Sequence, residues 1–242
     1  MAGSELTSAF VLHARPFKET SLIVELFTED YGRVNVLAKG VRGNRKNSNR
    51  ALLQPFQPIK VSWMGRGELK TLKQLDPDGF AHRLQGIASL SALYLNELLL
   101  RLFIQWDPHL DIFHLYKTSL QHLHAGDKPN LILREFELEL LDVLGYAIDW
   151  QHDIYGDAIE DGMTYAFVPE QGFIPQLQAP ADSWLANGAT ILAVADHHWN
   201  ISGAPALARK VCRLNIDQLL NGKELNSRKL LQQTLAMQTE VS

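Results

Sequence analysis

Between Ala9 and Asp76 short runs of β-branched and apolar residues are separated by polar or glycine-containing breaks. Apolar and polar positions alternate most clearly at Leu22, Val24, Leu26 and again at Val34, Val36. A period of two sends successive side chains to opposite faces of an extended strand. The pattern predicts five strands, at Phe10–Ala14, Ser21–Thr28, Val34–Lys39, Pro58–Trp63 and Glu68–Leu75. After Pro77 the period changes, and apolar residues recur at spacings of three and four. Helices are predicted over Leu84–Trp106, Ile112–His124, Leu131–Tyr146, Asn187–Trp199 and Ala204–Leu220, with a last one starting at Ser227 as N-cap. The third has Asp127 and Pro129 as its start signal and presents Leu133, Phe136, Leu140, Val143 and Leu144 on one face.

Five short strands in so small a segment suggest a small barrel, and an OB-like barrel is the commonest of that size to bind nucleic acid. The expected fold is therefore α+β: a five-stranded OB-fold barrel over residues 1–80, then a mainly α-helical domain over 81–242. The segment Asp149–Ala181 fits neither period and reads as a small irregular insert. Between the third and fourth strands, GVRGNRKNSNR has no apolar periodicity and reads as a mobile basic loop.

Charge sharpens this division. The net charge is −4, yet residues 1–80 carry 12 Lys and Arg against 8 Asp and Glu, while 81–242 carry 11 against 19. From Arg33 to Lys73 there are ten basic residues and one acid, Glu68. So one-sided a field favours a polyanion. From Glu135 to Asp182 there are eleven acids and no Lys or Arg, so this part should repel DNA.

The bulk properties exclude several classes. The N-terminus lacks a basic segment, an apolar stretch and a small-residue cleavage site, so a cytoplasmic protein is expected. Leu84–Trp106 is long enough to cross a bilayer, but Gln85, Asn96, Glu97 and Arg101 would then lie unpaired in lipid, and a buried helix is the better reading. One cysteine, Cys212, permits neither an internal disulfide nor a cysteine-cluster zinc site. There is no GxxxxGK[ST] loop, Gly65 and Gly67 are not followed by a third glycine at dinucleotide spacing, and no HExxH or GxSxG occurs. Asp196, His197 and His198 are adjacent, and neighbours on a helix point about 100° apart, so they read as a polar helix surface. No catalytic residue, metal ligand or cofactor is expected.

The stretches FVLHARPFKETSLIVELFTEDYGRVNVLAKGVR, QPFQPIKVSW, LREFELELLDVLGY and LNGKELNSRKLL resemble the RecO family, in the same order and spacing from Phe10 to Leu231. The resemblance implies an N-terminal OB domain, a helical C-terminal domain and a non-enzymatic, nucleoid-associated recombination mediator in DNA repair. Such a protein binds single- and double-stranded DNA and anneals complementary strands. It binds the acidic, Phe-ended tail of the single-stranded DNA-binding protein, and with RecR and sometimes RecF it places the RecA recombinase on coated DNA. Many relatives carry a four-cysteine zinc module in the region that here reads Gln151–Phe173. Those cysteines are absent, and the insert is expected to be held by Tyr165, Phe167 and Phe173 packing inward.

Single-strand binding needs cations along a groove and flat side chains for stacking. Arg33, Lys39, Arg42, Arg45, Lys46, Arg50, Lys60, Arg66, Lys70 and Lys73 are the expected phosphate contacts. Phe17, Phe56 and Trp63 are candidate platforms, each weighed against a place in the barrel core. A second basic cluster, Arg209, Lys210, Arg213, Lys223, Arg228 and Lys229, would hold a second strand. For the partner tail the expected cation is Arg134, with Leu98, Leu102, Phe103 and Phe136 lining an apolar pocket. The competing arrangement for Arg134 is an ion pair with Glu137 on its own helix. Two further functions stand as alternatives: an adaptor whose barrel contacts no DNA, and a metal-dependent nuclease using Asp153, Asp157, Glu160 and Asp161.

Overall fold

The computed structural model describes residues 4–42 and 48–240. Five strands, β1 (Thr7–Phe17), β2 (Ser21–Thr28), β3 (Gly32–Ala38), β4 (Pro58–Met64) and β5 (Lys70–Pro77), close a barrel in the order β1-β2-β3-β5-β4. The alternation in β3 does what it predicts: Val34, Val36 and Ala38 are buried, and Arg33, Asn35 and Leu37 are not fully so. The interior is filled by Val11, Val24, Leu26, Val34, Val36, Ile59, Val61 and Trp63. Closure is made by a parallel pairing, Val36 with Lys70 and Leu37 with Thr71. Register shifts between Val11 and His13 and between Ser62 and Trp63 interrupt β1 and β4, the irregularity that lets a short strand bend round a barrel. A five-residue helix, α1 (Ser48–Leu52), stands near the end of the segment expected to be irregular.

Two compact units divide the chain: residues 1–127 with 225–242, and residues 128–224. The secondary structure changes near residue 80 as expected, but compactness does not end there. Phe10 and Phe27 pack against Phe113 and Tyr116 of α3 (Leu110–Ala125), so β1 and β2 bury apolar side chains outside the barrel as well as within it. The expected first helix is α2 (Gly86–Leu102), shorter than its apolar run. Among the described residues no helix is long and apolar enough to cross a membrane. The last helix of the first unit, α7 (Asn226–Glu240), packs on α2. Its first turn is capped differently from expectation: the Glu97 carboxylate of α2 accepts from the backbone N–H groups of Asn226 and Ser227 and from the Ser227 hydroxyl.

In the second unit α4 (Pro129–Val143), α5 (Gly188–Ala195) and α6 (Ala204–Leu219) accompany β6 (Thr164–Val168), β7 (Gly172–Pro175) and β8 (Leu185–Asn187). These strands form an antiparallel sheet in the order β7-β6-β8, so the insert is less irregular than its sequence pattern suggested. Tyr165, Phe167 and Phe173 are buried with Trp150, Ile159 and residues of α5 and α6. The turns preceding the sheet are closed by carboxylates. Asp149 accepts from the Gln151 and His152 N–H groups, and Asp153 accepts from those of Tyr155 and Asp157. Burial alone would raise the Asp149 pKa, but these donors and the His152 ring together lower it. With packing and turn caps filling this role and no cysteine between Gln151 and Phe173, the residues there do not fit a thiolate-bound zinc.

Candidate nucleic-acid interface

One group of cations stands at the turn between β1 and β2. The Arg42 backbone N–H donates to the Thr20 carbonyl at 2.9 Å, and its guanidinium donates to the Lys18 carbonyl at 3.1 Å. This ties the segment after β3 to the hairpin turn. Arg15, Lys18 and Lys39 are exposed beside it, and Lys18 Nζ stands 5.6 Å from the centre of the partly exposed Phe17 ring. Arg15 and Lys18 belong to the surface but not to the sequence-defined cluster, because Glu19 and Glu25 separate them from the basic run that begins at Arg33.

Farther along, Arg50 on α1, Arg66 in the β4–β5 turn and Lys73 on β5 are exposed, and none of them, nor Lys39, forms an ion pair among the described residues. Lys60 is exposed on β4 with Asp78 3.9 Å away, a separation worth little at a surface. Arg45 and Lys46 lie outside the described residues. Arg33 has a different environment. Its side chain is 12% exposed, pairs with Glu25 at 2.9 Å, and donates to the carbonyls of Leu100 and Phe103 at 2.7 and 2.5 Å. Those carbonyls belong to the end of α2, where a helix leaves acceptors without partners. Arg33 therefore joins the barrel to α2.

Of the three aromatic candidates, Phe56 and Trp63 are buried and Phe17 is partly exposed. A barrel this small needs large side chains inside. An aromatic outside the expected set, Trp106, is 39% exposed and has Lys70 Nζ 4.8 Å from its ring centre. Its sequence position, at the end of an apolar run, points to a helix interior instead.

The second basic cluster is divided between the units. On α6, Arg209 is exposed, Arg213 lies 3.6 Å from Asp217, and Lys210 stands 3.8 Å over the Trp184 ring with its pKa lowered by loss of solvent. Lys223 follows α6, exposed. In the other unit, on α7, Arg228 lies over Tyr94 and Lys229 is exposed.

The five residues expected to hold a partner tail are also divided: Leu98, Leu102 and Phe103 in the first unit, Arg134 and Phe136 in the second. Leu98, Phe103 and Phe136 are buried and Leu102 partly so. Arg134 is not on the surface. Its side chain is 7% exposed and pairs with Glu137 at 2.6 Å, one helical turn on. Its Nε is buried without a hydrogen-bond partner among the described residues. Across the packed face of α6, burial pushes the Cys212 thiol pKa well above its usual range, and the Glu137 charge adds to this.

Among the described residues no group of three or more His, Cys, Asp or Glu side chains is placed to hold a metal. Asp153 closes a turn, and His197 Nδ1 lies 2.7 Å from Glu135 Oε2, whose other oxygen accepts from the Trp199 indole at 2.5 Å.

Residues 1–79 match the family described as "Recombination protein O N terminal" and residues 83–186 match "Recombination protein O C terminal". Curated relatives named DNA repair protein RecO include that of Proteus mirabilis, 40% identical over 93% of this chain and 91% of the relative. That of Yersinia enterocolitica is 42% identical over 93% of both chains. That of Pseudoalteromonas atlantica is 42% identical over 97% of this chain and 96% of the relative.

Proposed function

The chain belongs to the RecO family of DNA repair proteins, and from that membership we propose that it is a non-enzymatic recombination mediator. Its role is in DNA repair and recombination. In this reading it binds single- and double-stranded DNA through the barrel. It anneals complementary strands and, with RecR and in some relatives RecF, helps load RecA onto DNA coated with single-stranded DNA-binding protein. The observation that carries the reading is the set of exposed cations on the barrel, Lys39, Arg50, Arg66 and Lys73, none with an ion-pair partner among the described residues. Such cations bind phosphates by releasing condensed counterions. Arg15, Lys18 and Arg42 extend the surface at the β1–β2 turn, whereas Arg33 serves it by holding the barrel to α2. The cations of α6, and separately those of α7, are proposed contacts for a further strand, which lowers the repulsion between two phosphate backbones during annealing.

Arg134 is the proposed anchor for the terminal carboxylate of the partner's acidic tail, since its buried Nε has unused donor capacity. Phe136 on the same helix is a proposed apolar contact and, being fully buried, would have to be uncovered first; Leu98, Leu102 and Phe103, in the other unit, are separate apolar candidates.

The test is annealing of complementary oligonucleotides precoated with single-stranded DNA-binding protein, using coat with and without its acidic tail. Acceleration that depends on the tail is expected. No acceleration with either coat removes the mediator reading. Binding that is insensitive to reversal of Arg42, Arg45 and Lys46 to Glu would favour the adaptor instead.

A further inference from the structure

Trp106 lies beyond the end of α2, outside the barrel, with φ +65°. A bulky residue takes the left-handed region at a cost, and keeps it only where its surroundings impose it. Two restraints do so here. The Trp106 N–H donates to the Arg33 carbonyl at 3.1 Å, and Gln105 makes a parallel bridge with Arg33. The next residue, Asp107, passes so close to the β2–β3 turn that a Cβ added to Gly32 would stand 2.0 Å from its carbonyl oxygen. Gly32 itself has φ +66°, so only glycine suits both the conformation and the approach.

This fixed loop presents the indole between two barrel residues. The buried Trp63 ring meets it at 6.1 Å and a 69° interplanar angle, giving it a rigid backing. Lys70 Nζ is 4.8 Å from its centre, and the same ammonium makes a long bond, 3.4 Å, to the Gly65 carbonyl. The neighbouring turn carries the exposed Arg66. Packing alone does not account for a strained backbone that leaves a tryptophan 39% exposed, since an indole stabilises a fold by being buried.

We infer that Trp106 is a stacking platform for one unpaired nucleobase, with Lys70 as the cation for the phosphate beside it. The inference rests on the single-strand-binding reading above. The Lys70 stem is flexible and its hydrogen bond weak, so the ammonium moves from the ring to the phosphate as the base arrives. A base within a duplex has both faces covered by its neighbours, so the platform serves only unpaired strands. It therefore gives the protein a preference for single over double strands that basic residues alone do not provide.

The experiment measures Kd by fluorescence anisotropy for the full chain with three probes: an oligothymidine, an abasic strand of the same length, and a duplex. The wild type is expected to bind the oligothymidine more tightly than the abasic strand. Trp106→Leu should weaken oligothymidine binding by about tenfold and leave the abasic strand and duplex unchanged. Trp106→Phe should keep part of the difference, and Lys70→Met should lower the salt slope for the oligothymidine by about 0.7. A wild type that treats oligothymidine and abasic strand alike overturns the inference without recourse to any variant. So does a Trp106→Leu or Trp106→Phe protein that loses affinity for all three probes equally, because Trp106 then acts through the shape of the loop. A wild type that binds no single strand fails the broader reading first, a result distinguishable from either of these.

Discussion

The Tyr116 hydroxyl donates to Asn96 Oδ1 at 2.5 Å, and the Asn96 amide donates in turn to the Leu12 carbonyl at 2.8 Å. This relay joins α3 to α2 to β1 with no solvent access, and burial raises the Tyr116 pKa far above its usual value, so the hydroxyl is always a donor. Asn96→Ala would leave the Tyr116 hydroxyl and the Leu12 carbonyl buried without partners, at a cost of about 2–4 kcal/mol. Tyr116→Phe leaves only Asn96 Oδ1 unpaired and should cost about 1–2 kcal/mol. Urea denaturation of both variants and of the double variant checks this. Costs that simply add would show that the two residues do not act as a unit.

Basic residues of the barrel should separate into two groups. Lys39→Gln, Arg66→Gln and Lys73→Gln should change stability by no more than about 0.5 kcal/mol. Each should also reduce the salt slope of single-strand binding by about 0.7. Arg33→Gln should instead destabilise the protein by about 2–3 kcal/mol, because Glu25 and the carbonyls of Leu100 and Phe103 lose their donor. Thermal melts paired with salt titrations distinguish the two. An Arg33→Gln protein of wild-type stability would return that residue to the phosphate-binding set.

The buried Arg134–Glu137 pair makes a simple alanine test misleading. Arg134→Ala removes one member of a buried ion pair and should destabilise by about 3–5 kcal/mol, so lost partner binding would say nothing about contact. The double variant Arg134→Met, Glu137→Leu removes both charges and should remain close to wild-type stability. If Arg134 anchors the tail, calorimetric titration of this variant with the acidic tail peptide shows no binding. Retained binding assigns the anchor to another cation.

The imidazoles of His82 and His124 face each other with ring centres 5.7 Å apart. Burial, and secondarily repulsion from His124, hold the His82 pKa below its ordinary value of 6.5. The unfolded chain therefore binds the proton first on acidification. Stability contributed by neutral His82 is present above about pH 6.5 and is lost as the pH falls through its lower folded value. The wild-type melting temperature should drop further between about pH 7.5 and pH 5.5 than that of His82→Gln. Equal drops would show that His82 carries none of the acid sensitivity.

The barrel was legible in the sequence because β3 alternates over its seven residues, long enough for a period of two to be counted. The sheet of the second unit was not. Its strands run for five, four and three residues, and their side chains are buried by α5 and α6, which follow later in the chain. Charge counting picked out cations that are exposed on the barrel, but it could not show what surrounds Arg33. Its partners include Glu25 on the adjacent strand and carbonyls 67 and 70 residues away, and only the barrel register and the path of α2 bring them together. The same long-range stitching hid Trp106. The apolar run it closes is continuous in sequence, yet the helix stops at Leu102 and a backbone hydrogen bond to Arg33 turns the indole outward.

The first unit is assembled from both ends of the chain, with residues 128–224 set between its parts. Because α7 lies on α2 and takes its cap from Glu97, the barrel and its first helices emerge from the ribosome well before the segment that completes them. A domain normally folds once its own residues have been synthesised. Here the apolar face of α2 must wait through the synthesis of an entire second unit. During that interval the nascent chain exposes a surface suited to a chaperone, and a chain released after Glu224 would carry a complete second unit beside an unfinished first one.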